Sequence, residues 1–404
     1  MNDADVLIVG GGPAGMMAGL LFARAGLRVT VLEKHGDFLR DFRGDTVHPS
    51  TLDIFAELEI LDRFLTLPHD RVEYLSAVVG RRSWRIADFR HLPGPGRFIA
   101  MMPQWHFLDF LARVARRYPG FDLRLECAVT GLIENDERVT GVRTSEHTLH
   151  ARLVIAADGR GSLLRTAAGL PQVDLGAPID VFWFRVPKAP APGNQTQGYL
   201  AGREMVIAID RGDYFKCARV IAKGSADAVR AQGLEAFRAA VAAAAPPLGE
   251  GIAALHDWDA VKLLSVSLDR LKRWHRPGLL VIGDAAHAMS PVGGVGINLA
   301  VQDAVAAANM LAGPMTRGLS PDQLLARVQA RRMPAVKMVQ GIQRAIHRRV
   351  LEATLAGTVR KAPWAVRLLD RVPLLQRVPA RVLGLGVRRE RVRSPEASGP
   401  DRAR

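Results

Sequence analysis

Gly10-Gly11-Gly12-Pro13-Ala14-Gly15 follows directly on the apolar run Val6-Leu7-Ile8-Val9 and opens a stretch rich in Ala, Leu and Met that ends at Gly26. Glycines at this spacing do three things: Gly10 permits a tight turn, Gly12 lets backbone N–H groups approach a diphosphate, and Gly15 lets helix and strand pack closely. Pro13 and Ala14 stand at the helix start, whose dipole and free N–H groups favour an anion. A second apolar run closes with Glu33-Lys34, where a carboxylate can accept from a ribose diol. Strand, glycine turn, helix and acid-terminated strand within about thirty residues predict a dinucleotide site and leave open which dinucleotide.

Two further turns carry an acid at a strand end. Residues 151–157 run into Asp158-Gly159-Arg160-Gly161-Ser162, and 278–282 run into Gly283-Asp284-Ala285-Ala286-His287. The latter continues as a loop, Ser290-Pro291-Val292-Gly293-Gly294-Val295-Gly296-Ile297-Asn298, and an Ala-rich helix through Leu311. Asp-Gly is a strand-to-turn signal, so each stretch alone reads equally well as a structural turn. The elements that must place these turns are apolar runs without alternation, the pattern of strands buried on both faces of a parallel sheet. Between the second and third turns, 180–185, 205–210 and 214–220 read as antiparallel strands. Phe182 and Phe184 share one face there, as core or as substrate contacts.

Taken in order, the three motifs resemble those of the single-component FAD-dependent aromatic hydroxylases, whose fold is that of para-hydroxybenzoate hydroxylase. The resemblance implies an α/β fold: a Rossmann-like FAD-binding domain, an inserted, mainly antiparallel β-sheet substrate domain and a helical C-terminal segment. The expected divisions are 1–171 and 271–330 for FAD binding, 172–270 for the sheet, 331–392 for a basic amphipathic helical segment and 393–404 for a disordered tail. By the same resemblance Gly10, Gly12, Gly15 and Glu33 hold the ADP half of FAD, Asp158 and Gly159 serve FAD and NAD(P)H, and Gly283 and Asp284 hold the ribityl chain. Arg43 and Gln104 match positions that contact FAD in relatives. Pro291, Gly294, Gly296, Ile297 and Asn298 are expected at the pyrimidine end of the flavin, toward which the helix starting near Gly296 aims its positive end.

The implied chemistry is that NAD(P)H reduces FAD, O2 adds to the reduced flavin at C4a, and the hydroperoxide delivers one oxygen to an aromatic or polyketide-like molecule. For a phenolic substrate a base raises ring nucleophilicity. Asp45, aligned with the active-site aspartate of phenol hydroxylase, is the first candidate and His48 the second, with Pro291 beside them in the glycine loop; Asp45 or His48 could equally cap the helix beginning near Pro49. A reductase or dehydrogenase on the same fold, or a flavin-binding protein without turnover, are the competing readings. There is no second G-x-G-x-x-G for a separate nicotinamide domain and no W-x-W-x-I-P halogenase signature. No motif encodes the substrate or the choice between NADH and NADPH.

At 404 residues, 48% hydrophobic and 24% charged, the chain has the composition of a globular protein of more than one domain. Its two cysteines, Cys127 and Cys217, exclude a disulfide framework, a zinc ribbon and a redox dithiol, and no metal site is expected. The net charge of +15 suggests a polyanion partner, yet residues 331–404 hold 18 Lys and Arg against 5 Asp and Glu, which leaves +2 for everything before them. Without a compact module of aromatic and basic residues, nucleic-acid binding is not expected. The tail shows helical periodicity over 336–355, 364–370 and 378–385, broken by prolines. A docked layer, a homodimer contact and a peripheral membrane element for a lipophilic substrate all remain open for it. The opening residues lack a basic flank and apolar core, and no uninterrupted apolar stretch reaches about 20 residues, so the expected location is cytoplasmic.

Overall fold

A computed structural model describes residues 3–39, 44–80, 82–188, 196–357 and 362–397. Its site-bearing elements begin with β1 (Ala4–Val9), α1 (Pro13–Arg24), β2 (Val29–Leu32), β3 (Thr46–Val47) and α2 (Pro49–Glu57). Next come β4 (Ile99–Met101), α3 (Gln104–Ala115), β5 (Phe121–Arg124) and β6 (Thr148–Ala156). β7 (Ile179–Pro187), β8 (Glu204–Asp210), β9 (Tyr214–Ala222) and β10 (Leu279–Val281) precede the helices α4 (Gly296–Thr316), α5 (Asp322–Ile346), α6 (Trp364–Arg371) and α7 (Arg377–Gly384).

The unbroken apolar runs form a parallel sheet in the order β10–β6–β1–β2–β5. Val6 lies opposite Leu153 and Val29, and Ile8 opposite Ile155 and Val31, all fully buried. Helices α1, α3 and α4 cover one face, so these strands have no solvent side to mark with polar residues. The tightest packing is at the first turn. Gly10 has φ +105°, and a Cβ at Gly15 would overlap the Gly10 carbonyl oxygen. The stretch Val292–Thr316 is long and apolar enough to cross a membrane, but 83% of its apolar window is buried inside the protein.

A second sheet of seven strands runs Lys262–Leu264, β7, β9, β8, Gln197–Ala201, Tyr74–Val79, Arg82–Asp88. It therefore reaches outside 172–270. Its last two strands come from inside 1–171, where largely exposed, charge-rich Arg82–Asp88 has no sequence pattern of a core strand. Strand parity divides the sheet's two faces. Phe182, Phe184 and Val186 pack on Phe237 of the helix Leu234–Ala244, with ring centroids 5.9 and 5.3 Å apart for the two phenylalanines. Trp183, Ile207, Ile209 and Ala218 point the other way, toward Val292 of the glycine loop, Met101 of β4 and Leu383 of α7.

The tail is a structural layer. Instead of breaking at Pro334, α5 runs through it and continues by a π-turn, His347–Leu351, into Glu352–Leu355. α6 lies along Arg82–Asp88 with Asp370 bonded to Arg82 at 3.0 Å, and α7 buries Ala380 against Phe89 and Ile209. The expectation of disorder from Arg393 fails for 393–397. Arg393 N donates to Asn309 at 2.7 Å, Ala397 N to Arg24 O at 2.9 Å, and Glu396 pairs with Arg24 at 3.0 Å. Low hydrophobicity is offset there by specific polar partners on α1 and α4. On the outer surface Trp364, Leu374 and Val378 are exposed beside Arg367, Arg371 and Arg377.

Candidate active site

Gly12 is the N-cap of α1, with no side-chain cap and no acidic residue in the first turn. A Cβ there would meet no atom within 4 Å, so the helix N-terminus opens onto space of the kind a diphosphate needs. Glu33 is held across this turn, one oxygen accepting from Gly11 N at 2.8 Å and the other from His35 N at 3.1 Å. Past Glu33 and Lys34 a cleft is lined by Gly36, Phe38, Ala112, Leu123 and Leu125. Glu126 N and Cys127 N donate to His35 O and Glu33 O at 3.0 and 2.9 Å. Residues 123–127 carry no motif, and sequence reasoning passed over them. Gln104 opens α3 and is nearly buried; Arg43 lies outside the described residues.

Because β6 and β10 are neighbours, the Asp-Gly and Gly-Asp turns meet. Arg160 Nε donates to Asp284 at 3.1 Å and its Nη2 to Met289 O at 3.0 Å, while Nη1 is buried without a hydrogen bond. Asp158 acts locally, accepting from Ser162 Oγ at 2.6 Å and Leu164 N at 3.2 Å, which fixes the turn before the helix Leu163–Ala167. Open space also lies over Gly159 and Gly296. Behind the Gly-Asp turn, buried Asp303 accepts from Gly283 N at 3.1 Å, His287 Nε2 at 2.6 Å and Arg332 Nε at 2.9 Å. Burial works against its ionisation, but His287 and Arg332 outweigh that and hold the carboxyl below its usual range. An orphaned guanidinium nitrogen and open space over Gly12, Gly159 and Gly296 fit a bound FAD.

Pro291 begins the glycine loop, which is tied on both sides. From the β3–α2 side, Thr46 Oγ1 and His48 Nε2 donate to Gly294 O at 2.6 and 3.1 Å, Asn298 accepts from Thr51 at 3.0 Å and from Ser50, and Ile297 lies against Gly44. From α5, Gln343 Nε2 donates to Ser290 O and Val292 O at 2.9 Å each, and its oxygen accepts from Ser290 N at 3.2 Å. His347 bonds Ser290 Oγ at 2.8 Å, and Gln340 donates to Asp269 O and Ala288 O at 2.8 and 3.3 Å. The π-turn starts at this histidine, where the helix reaches the loop, a common place for such a bulge. Polar residues at helical spacing look the same whether they face water or backbone, so the sequence did not mark this stripe.

His48 sits at the N-cap of α2 without capping it. Burial pushes its imidazole down to about 4, so at neutral pH it is an uncharged donor to Gly294 O. Asp45 is 7% exposed, and two cations meet its Oδ2: Lys216 Nζ at 2.7 Å and Arg211 Nη2 at 3.1 Å. With Arg185, Tyr214, Pro103 and Trp105 they line one cleft between the two sheets. The cations come from β7, β9 and the turn before β9, within the sheet expected to form the substrate domain, but none of the three residues was singled out from the sequence.

A family model described as FAD binding domain matches residues 3–341. The chain is 33% identical over 404 residues to 6-methylpretetramide 4-monooxygenase of Streptomyces rimosus, covering 96% of this chain and 94% of that one. It is 27% identical to aklavinone 12-hydroxylase DnrF of Streptomyces peucetius, covering 88% and 77%. Among solved structures, PqsL of Pseudomonas aeruginosa superposes with a TM-score of 0.75 at 21% identity over 89% of this chain and all of that one. The anhydrotetracycline hydroxylase OxyS of S. rimosus superposes with a TM-score of 0.73 at 23% identity, covering 96% and 77%.

Two outcomes follow from the loop's fastenings. His48 titrates near 6.5 when unfolded and near 4 when folded, so the unfolded chain binds the extra proton between these values. Stability is therefore complete above the unfolded value and falls as pH drops toward the folded one, by about 3 kcal/mol. His48→Gln keeps a donor for Gly294 O and should flatten this part of the urea-midpoint profile; an unchanged acid slope refutes the assignment. Gln343→Leu strands three loop backbone groups and should cost about 3 kcal/mol and weaken FAD binding roughly tenfold in a fluorescence titration. Wild-type affinity in that variant would show that the stripe does not set the loop.

Proposed function

The chain belongs to the FAD-dependent aromatic hydroxylases, and on that premise we propose that its substrate is a flat, hydroxylated aromatic of the polyketide kind. It is a FAD-dependent monooxygenase, with NAD(P)H and O2 as co-substrates. The substrate proposal is supported by the names of the relatives, a 6-methylpretetramide monooxygenase and an aklavinone hydroxylase. The observation that carries the site is the Arg160–Asp284 bridge, which joins the Asp-Gly and Gly-Asp turns that the β6–β10 pairing brings together. FAD, when bound, accepts the hydride, activates O2 and transfers one oxygen to the ring.

The chain's own residues supply the rest. Gly12, Pro13, Ala14 and the α1 N-terminus hold the diphosphate, Glu33 and Lys34 the adenosine end, and Asp284 with Arg160 the ribityl chain. Pro291, Gly294, Gly296, Ile297 and Asn298 carry the ring edge, with the positive end of α4 toward it. Trp183, Ile207 and Ile209 pack the inner face of the sheet against Met101 of β4 and Leu383 of α7. His48, uncharged and bonded to Gly294 O, serves the loop as a positioning residue.

Purified protein should be yellow, and with an accepted hydroxyaromatic it should consume NAD(P)H and O2 in equal amounts and release a product one oxygen heavier. NAD(P)H oxidation without oxygen in the product supports the reductase reading, and FAD binding without oxidation supports the binding protein. For the tail's outer face we infer contact with an anionic lipid surface, because exposed Trp364, Leu374 and Val378 share this segment with exposed Arg367, Arg371 and Arg377. Flotation with phosphatidylglycerol vesicles but not with phosphatidylcholine vesicles is expected; equal behaviour with both refutes it.

A further inference from the structure

We propose that α7 is the movable wall of the substrate cavity: its C-terminal end lifts off the glycine loop to admit a ring system, and Leu383 on its inner side limits the size that fits. This rests on the monooxygenase reading above.

Where the two domains meet there is no room for a flat polycycle. The cleft around Asp45 and Trp105 encloses about 10 Å³, the space of one water. Nearer the glycine loop, Trp183, Ile207 and Ile209 pack with Met101 of β4 and with Ala380 and Leu383 of α7, and Val292 packs against the same face of the sheet. Part of this wall must move before a ring can enter, and its parts are unequally fastened. The inner face belongs to a seven-stranded sheet. Thr46 and His48 tie the glycine loop on one side, Gln343 and His347 on the other. β4 is paired along both edges, Met101 lying opposite Thr46 and Asp70. α7 is held differently. Among the described residues, no side chain of 377–388 forms a hydrogen bond or ion pair with the body, and Ala380, Leu383 and Leu385 hold the helix by apolar packing.

The seat of α7 depends on one missing side chain. A Cβ on Gly384 would come within 2.8 Å of Leu92 Cδ1, 3.0 Å of Pro49 Cγ and 3.2 Å of Phe89 Cδ1. Leu383 beside it reaches the glycine loop, its Cδ2 lying 3.2 Å from where a Cβ on Gly293 would stand. Firm anchors lie on either side of the helix. Before it, Asp370 meets Arg82 at 3.0 Å and accepts from Arg85 N at 3.2 Å, and Gln376 donates to Leu369 O at 2.9 Å. After it, Arg389 meets Asp53 at 2.9 Å and Glu390 N donates to Gln302 at 3.2 Å.

Between Gly384 and that second anchor the backbone turns twice into the left-handed region, at Gly386 (φ +75°) and Arg388 (φ +55°). Glycine adopts it freely and arginine only under strain, so this short link is where a hinge would absorb its rotation. Because the start of α7 is tied back to α6, the end that can lift is the one bearing Leu383. Val378 and Arg381 on the outer side are exposed, so an outward tilt meets only solvent.

The motion can be followed directly in FAD-loaded Ala380→Cys. A thiol reagent reaches the introduced cysteine only when α7 lifts, while native Cys217, buried on the sheet's other face, reports unfolding. The introduced thiol should react roughly 100-fold faster than Cys217 or more, and equal rates overturn the proposal. Uptake of alizarin, a planar three-ring hydroxyanthraquinone, gives a second measurement. Oxidising Leu92→Cys/Gly384→Cys should fix the seat and slow uptake roughly tenfold, with recovery on reduction, and Gly384→Val, which cannot seat, should speed it. Leu383→Ala should shift relative affinity roughly tenfold toward alizarin over single-ring phenol. Uptake at the wild-type rate in the cross-linked or valine variants, an unchanged size preference, or no uptake by FAD-loaded wild type overturns the assignment. Thiol labelling needs no turnover. Wild type that holds FAD but fails to oxidise NAD(P)H therefore removes the monooxygenase reading, while equal labelling rates in an active protein remove only the moving wall.

Discussion

Asp303 takes donors from three separate parts of the chain: the backbone of the Gly-Asp turn, the His287 ring and the Arg332 guanidinium. Both side-chain partners are as buried as the carboxylate itself, at 0% and 1% side-chain exposure for Arg332 and His287. Charges removed from water are tolerated only when paired and hydrogen-bonded, and removing one partner leaves the others uncompensated. The Gly-Asp turn, α4 and α5 must therefore be in place together. The C-terminal run joins the same network through Glu390, which meets Arg331 at 2.7 Å and Arg332 at 3.5 Å. A turn expected to hold the ribityl chain is in this way positioned by residues from the last quarter of the protein.

That dependence changes the meaning of the tail's charge. Arg331 and Arg332 are engaged with Glu390 and Asp303, Arg389 with Asp53 at 2.9 Å, and Arg391 with Glu57 at 3.8 Å. These arginines fasten the tail to α2, α4 and the body of the first domain. Others face outward, among them Arg344, Arg348 and Arg349 on and after α5 and Arg367, Arg371 and Arg377 on α6 and α7, the last three in the segment that also exposes Trp364, Leu374 and Val378. Composition reports both sets as one surplus because it carries no information about which side of a helix a residue occupies.

The same distinction governs how much of the site was legible in advance. Gly10, Gly15 and Glu33 act within one βαβ unit, so their spacing carries their geometry, and the structure shows the close approach at Gly15 that the motif implies. Arg160 was visible inside a motif, but its partner Asp284 is 124 residues away, and only the pairing of β6 with β10 brings them together. Gln343 and Ser290 are 53 residues apart and meet because α5 passes uninterrupted through Pro334. The stripe lies inside the helix expected over 336–355, but polar residues at helical spacing do not say whether they face water or backbone. The cations on Asp45 were hidden for another reason: a Lys or Arg in an alternating strand reads as its solvent side, and here that side faces a second domain.

Register explains why Arg185 and Lys216 face each other across the β7–β9 ladder despite their like charge. Phe184 lies opposite Cys217 and Val186 opposite Phe215 in the β7–β9 ladder, and all four are buried on the face covered by Phe237. A slip of one residue would carry that entire apolar set to the other face, a penalty far larger than one like-charge contact. Packing on the outer face thus fixes Arg185 opposite Lys216 on the inner one, next to Trp183 and above the glycine loop. The placement of these cations is imposed from the opposite side of the sheet, and Asp45, reaching across from the first domain, meets Lys216 at 2.7 Å and Arg211 at 3.1 Å.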